Sequence, residues 1–137
     1  MTISKSDERW FDLAMKTADF SECQFKHGAV IVIKNKPISL GRNVPHSRNI
    51  QKLLVRAKYN QSAHERRKRS DQIHAEVVAI LKARTDLKGA TLYSARRRPK
   101  GLPGDSCPCE SCSQIIALNG ISNVVFSVNG KLQKVGL

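Results

Sequence analysis

The apolar positions change period along the chain, and the changes mark its elements. Trp10, Leu13, Ala14, Thr17 and Ala18 recur at three- and four-residue spacing, which predicts an opening amphipathic helix over residues 6–20. The apolar run from Ala29 to Ile33 reads as a buried strand. Lys34 to Lys36 reads as a turn, and Pro37 to Leu40 as a second strand closed by Gly41, so the pair predicts a β-hairpin. Ile50, Leu53, Leu54 and Ala57 return to helical spacing and place a helix around 48–60. A clearer helix is expected from Asp71, a residue suited to N-capping, with Ile73, Val77, Ile80 and Leu81 on one face to about Ala83. "KGATLYS" at 88–94 reads as a strand, and residues 96–107 as a loop rich in Arg, Lys, Gly and Pro. Pro108 then stands at the favoured first position of a helix reaching about Asn119, and "ISNVVFSV" at 121–128 is the last clear strand. The nine residues beyond Val128 leave space for little more than one extra strand. The order α-β-β-insert-α-β-α-β argues for an α/β fold, a mixed sheet with helices packed on it.

Length and composition bound this picture. A chain of 137 residues suits a single domain, 1–137, with a basic insertion at about 44–70. An apolar fraction of 40% and a charged fraction of 26% are ordinary for a globular protein, which excludes wholesale disorder. The charge balance is not ordinary: 24 Lys and Arg against 11 Asp and Glu give +13. That excess points to polyanionic partners, nucleic acid or phosphorylated small molecules, and a solubilising basic surface would account for it equally well. The insertion carries Arg48, Lys52, Arg56, Lys58, Arg66, Arg67, Lys68 and Arg69 against one acid, Glu65. Tyr59 is its one aromatic base-stacking platform, and His46 and His64 read as surface residues. No stretch approaches the roughly 18 consecutive apolar residues of a membrane span, so a membrane is not expected as a partner. The first eight residues mix charges early and lack the apolar core of a secretory signal, which leads to the expectation of a cytoplasmic, reducing environment.

In that environment, closely spaced cysteines are metal ligands or reactive thiols sooner than disulfides. "CPCESC" at 107–112 holds three of the four cysteines, and Cys23 reads as a small buried residue. Cys109 and Cys112, three apart on a first helical turn, point to the same side and can share one ion. "HAE" at 74–76 offers an imidazole at the start of another helix. Zinc, redox-inert and tetrahedral, suits two thiolates and an imidazole. Two arrangements stay open. In one, His74, Cys109 and Cys112 hold Zn2+ and leave a fourth position for chemistry; in the other, Cys107 closes the site as a structural one.

H-x-E followed by P-C-x-x-C on the next helix is the pattern of zinc deaminases acting on bases. The chain resembles the cytidine and deoxycytidylate deaminase family, including viral and phage members. The resemblance rests on "HGAVIV" at 27–32, "GRN" at 41–43, "HAEVVAI" at 74–80, "ATLYS" at 90–94, "PCESC" at 108–112 and "NGISNVVFS" at 119–127. It implies a three-layer α-β-α cytidine-deaminase-like fold with a central mixed sheet, and hydrolytic deamination of a cytosine nucleotide. It implies metal ligands His74, Cys109 and Cys112, with Glu76 as the catalytic proton carrier. By the same resemblance Asn43 contacts the substrate sugar, the Ala75 backbone donates to the base, and the protein forms a homo-oligomer.

Two features depart from a compact free-nucleotide deaminase. Ala95 to Cys107 intervene where many relatives run almost directly from "LYS" into the cysteine motif, and this segment brings Arg96, Arg97, Arg98 and Lys100 towards the pocket rim. Arg96, Arg97 and Arg98 are therefore candidate contacts for a substrate phosphate or a nucleic-acid backbone. The other departure is the basic insertion. Together they keep two alternatives open: a deaminase of cytosine or adenine in single-stranded DNA or RNA, and a basic nucleic-acid-binding module with structural zinc.

Overall fold

A computed structural model describes residues 1–44 and 73–137. The expected helix at 48–60, His46, His64, Asp71 and all but the first residue of the basic insertion lie outside the described residues. Helix α1 spans Lys5–Ala18, followed by strands β1, Lys26–Ile33, and β2, Lys36–Arg42. Helix α2 spans Ala75–Ala83, strand β3 Thr91–Arg97, helix α3 Glu110–Leu118, and strands β4 and β5 Asn123–Val128 and Lys131–Gly136.

Among the described residues five strands form one mixed sheet in the order β2-β1-β3-β4-β5, in which β3 and β4 run parallel and the other neighbours antiparallel. Strand alternation divides the core. Val30, Val32, Tyr93, Ala95 and Val125 pack with Phe11 and Met15 of α1 on one face. Ala29, Ile31, Leu92, Val124 and Phe126 pack with Val77, Ile80, Ile115 and Ile116 of α2 and α3 on the other. This is the expected three-layer α-β-α arrangement. Among the described residues no helix is long and apolar enough to cross a membrane.

The boundaries differ from the expected ones for local reasons. Both hairpins turn on two residues with positive φ, Lys34 and Asn35 (50° and 60°) and Asn129 and Gly130 (52° and 78°), the turn that matches strand twist. The second hairpin adds β5. Helix α1 buries Phe11, Ala14, Met15 and Ala18, so the buried stripe is rotated slightly from the one read in the sequence, with Trp10, Leu13 and Thr17 at its margins. Helix α2 begins at Ala75 with His74 as N-cap, because Ile73 is still extended and bridges Val44. The expected start at Asp71 is thus too early. Pro108 precedes the N-cap Cys109 of α3, two positions before the first residue of the helix it was expected to open. Arg96 and Arg97, expected in a loop, belong to β3.

One buried charge fastens α1 to the sheet. Asp7 is 3% exposed, completes a capping box with Ser4, accepts from the Tyr93 hydroxyl at 2.6 Å and pairs with Lys134 at 3.3 Å. Burial alone would raise the Asp7 pKa, but the hydrogen bonds from Ser4, Tyr93 and Lys134 outweigh it and hold the carboxyl below its usual 3.8. A depressed folded-state pKa contributes stability that is present above about pH 4 and lost as pH falls through the folded value. Asp7→Asn is expected to lower stability at pH 7 by about 1–3 kcal/mol and to flatten the acid limb of the stability curve. Urea melts from pH 7 to pH 3 check this, and an unchanged acid limb would overturn it.

Candidate metal centre and its cavity

The site forms where the start of β1, the end of β2, the middle of β3 and the N-termini of α2 and α3 meet. His74 and Cys109 occupy the two N-cap positions, and neither makes a side-chain cap hydrogen bond. Ser, Thr, Asp or Asn would cap better by about 1 kcal/mol, so both helices forgo capping here. The side chains turn to each other instead. His74 Nδ1 lies 3.2 Å from Cys112 Sγ and 3.6 Å from Cys109 Sγ, and the ligand atoms of all three residues lie within 4.8 Å of one another.

This donor set fits zinc. Bond lengths of about 2.3 Å to sulfur and 2.0 Å to nitrogen in a tetrahedron set S to N separations of roughly 3.6 Å. The electrostatics agree. The hydrogen bond with Cys112, reinforced by His74, holds the Cys109 thiol down to about 3, while donating to Cys109 and burial push Cys112 well above its usual range. The opposite directions of the two thiols are those of a close pair competing for one proton, and a cation among them would favour the thiolate form of both. Cys107 is exposed and stands outside the three-residue cluster.

Close backbone approach makes the placement possible. A Cβ on Gly41 of β2 would stand 2.5 Å from the Ala75 carbonyl oxygen and 2.5 Å from the Ala79 nitrogen, so only glycine lets the first turn of α2 lie on the sheet. Ala75 and Glu76 are thereby buried, Glu76 at 4% exposure. Burial raises the Glu76 pKa, against the opposing charge of His74. The Glu76 carboxylate lies 3.5 Å from the Ser94 hydroxyl.

A cavity of about 140 Å³ opens beside the cluster, lined by His27, Asn43, His74, Glu76, Ser94, Asp105, Ser106, Cys107 and Cys109. That is smaller than the roughly 300–1,000 Å³ of sites for drug-sized ligands and suits one planar ring. The loop forming its far wall is fastened by reciprocal bonds: Ser94 donates to the Ser106 carbonyl at 2.8 Å and Ser106 donates to the Ser94 carbonyl at 2.7 Å. The Ser127 amide donates to Ser106 Oγ at 2.9 Å, tying the loop to β4 as well. Asn43, 1% exposed, accepts from Ser21 and the His27 amide and donates to the Phe25 carbonyl. It stands at the cavity wall and also clips the entry to β1.

Of the residues singled out in the sequence, His74, Glu76, Cys109, Cys112 and Asn43 converge here, and Ala75 lies between two of them. The three arginines do not act alike. Arg97 pairs with Asp19, through Nε at 2.8 Å and Nη2 at 3.1 Å, and donates to the Gly101 carbonyl, so it also anchors structure. Arg96 and Arg98 border a neighbouring groove instead of the cavity. Four wall residues escaped the sequence reading: His27, Ser94, Asp105 and Ser106. Burial, followed by the charges of Arg96 and His74, lowers the His27 pKa to about 4, leaving a neutral imidazole at pH 7. Its one sequence signal was its place at the head of "HGAVIV".

Three layers around a mixed sheet, with an imidazole and two thiols gathered at two helix N-termini, define a zinc protein of cytidine-deaminase-like fold. Residues 4–128 match the cytidine and deoxycytidylate deaminase zinc-binding region, and the chain belongs to that family. The deoxycytidylate deaminase of Mycobacterium phage D29 is 44% identical over 55 residues, which are 39% of this chain and 35% of the phage protein; the match spans about a third of that relative's length. The fold is shared with deoxycytidylate deaminase of the cyanophage S-TIM5, at 20% identity and TM-score 0.60 over 90% of this chain and 82% of that one. It is shared equally with cytidine deaminase from Burkholderia pseudomallei, at 16% identity and TM-score 0.63 over 98% and 93%.

Proposed function

We propose that the chain catalyses hydrolytic, zinc-dependent deamination of the cytosine base of a nucleotide, giving the uracil product and ammonia, with deoxycytidylate the first substrate to test. Family membership supports the reaction class, and one observation carries the mechanism: a carboxylate 4% exposed, Glu76, in the same cavity wall as His74 and Cys109. Zinc held by His74, Cys109 and Cys112 supplies a water acidic enough to act as nucleophile near neutral pH. Glu76 moves the protons. As water adds at C4 of the ring, Glu76 takes one proton and gives it to N3; it then takes the second and gives it to the departing amine, which leaves as ammonia. A buried carboxylate with a raised pKa suits both steps, since it must accept and release a proton at the same pH.

The remaining wall residues position the ring. The Ala75 amide belongs to the first turn of α2, where backbone donors are unpaired within the helix, and we assign it to the base carbonyl. We assign Asn43, in the cavity wall, to the sugar. The test is to incubate the zinc-loaded protein with cytosine and adenine nucleosides, nucleotides and single-stranded oligonucleotides and to read uracil or hypoxanthine by mass. Uracil from deoxycytidylate supports the proposal, and no uracil from any cytosine substrate overturns it.

A further inference from the structure

Outside the cavity lining, against Asn43, stands a buried hydroxyl that the proposed chemistry does not use. The β1–β2 ladder ends at the pair Gly28 and Arg42, and Asn43 extends it by other means. The Asn43 amide donates to the His27 carbonyl at 3.3 Å, and its side-chain oxygen accepts from the His27 amide at 3.0 Å, so a side chain stands in for the missing backbone partner. The same oxygen accepts from the Ser21 hydroxyl at 2.6 Å, while Nδ2 donates to the Phe25 carbonyl at 2.7 Å. Ser21 lies between α1 and β1 and is 3% exposed.

These bonds decide which end of the Asn43 amide meets a ligand. A side-chain amide turns end over end at little steric cost, and only its partners distinguish oxygen from nitrogen. Turning this one over would set NH2 against the His27 N–H, which cannot become an acceptor. The end that Asn43 offers a ligand is therefore Nδ2, a donor. His27 sets that polarity, and Ser21 makes the shorter bond to the same oxygen. A hydroxyl carries one proton, so the 2.6 Å contact takes it and the 3.1 Å approach of Ser21 Oγ to the Asn43 carbonyl is secondary. Ser21 Oγ accepts in turn from the Cys23 amide at 3.1 Å, which keeps its lone pairs towards Cys23 and its proton towards Asn43.

We infer that Ser21 is a positioning residue for the substrate: it holds the Asn43 amide so that Nδ2 donates to the oxygen of the sugar hydroxyl, and thereby sets the preference for a nucleotide that carries this hydroxyl. The inference rests on the assignment of Asn43 to the sugar and names the group that aims it. Of the two donors on the Asn43 oxygen, Ser21 is the side chain, so it can be removed by substitution while the His27 amide stays. Ser21 does not line the cavity and acts only through Asn43. Its effect is a dependence on one ligand atom, which a general loosening of the fold does not produce.

The test measures binding to the zinc-loaded protein by calorimetry, with ligands that are not consumed: dUMP and the same nucleotide without its sugar hydroxyl. The native protein is expected to bind dUMP about three- to tenfold tighter than the hydroxyl-free nucleotide. In Ser21→Ala that ratio should fall to about twofold or less, with the hydroxyl-free nucleotide bound as in the native protein. Ser21→Thr, which keeps the hydroxyl, should keep the native ratio. Melting temperature checks that each variant folds, and Ser21→Cys, close in size with only a weak donor, carries the test if Ser21→Ala does not fold. A native protein that does not distinguish the two nucleotides overturns the inference. So does a Ser21→Ala protein that binds both more weakly by the same factor, or a Ser21→Thr protein that behaves as Ser21→Ala. The inference and the proposed reaction fail separately: deoxycytidylate turnover without a hydroxyl preference leaves the deaminase standing, and a preference that Ser21→Ala abolishes, without turnover, leaves the positioning role standing.

Discussion

Glu76→Gln is expected to lower kcat on the cytosine nucleotide by about 10²–10⁴-fold or more while zinc stays bound at the native stoichiometry. The amide keeps the size and packing of a side chain that is 4% exposed, so the loss isolates proton transfer from shape. Glutamine cannot take the proton from water and cannot deliver one to N3 or to the leaving amine. Stability should move the other way. Burial raises the Glu76 pKa, which means that the charged form is unfavourable in the folded protein, and a neutral amide removes that penalty. The melting temperature of Glu76→Gln should therefore equal or exceed the native one, as expected where a site trades stability for chemistry. Single-turnover kinetics, metal analysis and a thermal melt on the same preparation check all three statements. Turnover within tenfold of native would remove Glu76 from the role of proton carrier. Loss of zinc would show that it supports the metal instead.

The parts legible in the sequence are those whose signal is local. The metal cluster is an N-cap residue of one helix with an N-cap and third-position pair on another, and a spacing of two or three residues fixes each half. The sheet strands are legible because Ala29 to Val32 and Val124 to Phe126 are buried on both faces, leaving a continuous apolar run. The last hairpin was readable too: Asn129 followed by Gly130 is a strong short-range turn signal, and it predicts β5 directly. What the sequence hides is convergence over distance. Asp7 meets Tyr93 and Lys134 across 86 and 127 residues, and the Ser94–Ser106–Ser127 fastening joins a strand, a loop and a second strand. No periodicity encodes such contacts. The three arginines show a subtler loss. Read as loop, Arg96, Arg97 and Arg98 look interchangeable; within a strand, neighbours face opposite sides, which sends Arg97 to Asp19 and leaves Arg96 opposite His27.

The remaining large effect separates the cysteines of "CPCESC". Cys112→Ser should lose zinc and, with it, both turnover and stability, whereas Cys107→Ser should keep a full equivalent of zinc and melt within a few degrees of the native protein. Cys112 is 2% exposed and its sulfur lies 3.2 Å from His74 Nδ1, so a hydroxyl there removes a soft donor and leaves a buried polar group in its place. Cys107 is exposed on the cavity rim, before the helix whose first turn positions the other two sulfurs. Its thiol is pushed up by partial burial and by the nearby Glu76 and Cys109, so it remains a neutral thiol in the metal-free protein. Packing and metal effects are separated by a chelator: native protein stripped of zinc should melt close to Cys112→Ser if the metal carries most of the loss, since binding energy to a site that exists only when folded is folding energy. Zinc per chain by mass spectrometry, read with the melts, decides the matter. If Cys107→Ser sheds its zinc, the cysteine completes a closed tetrahedron, no position is left for water, and the hydrolytic proposal falls with it.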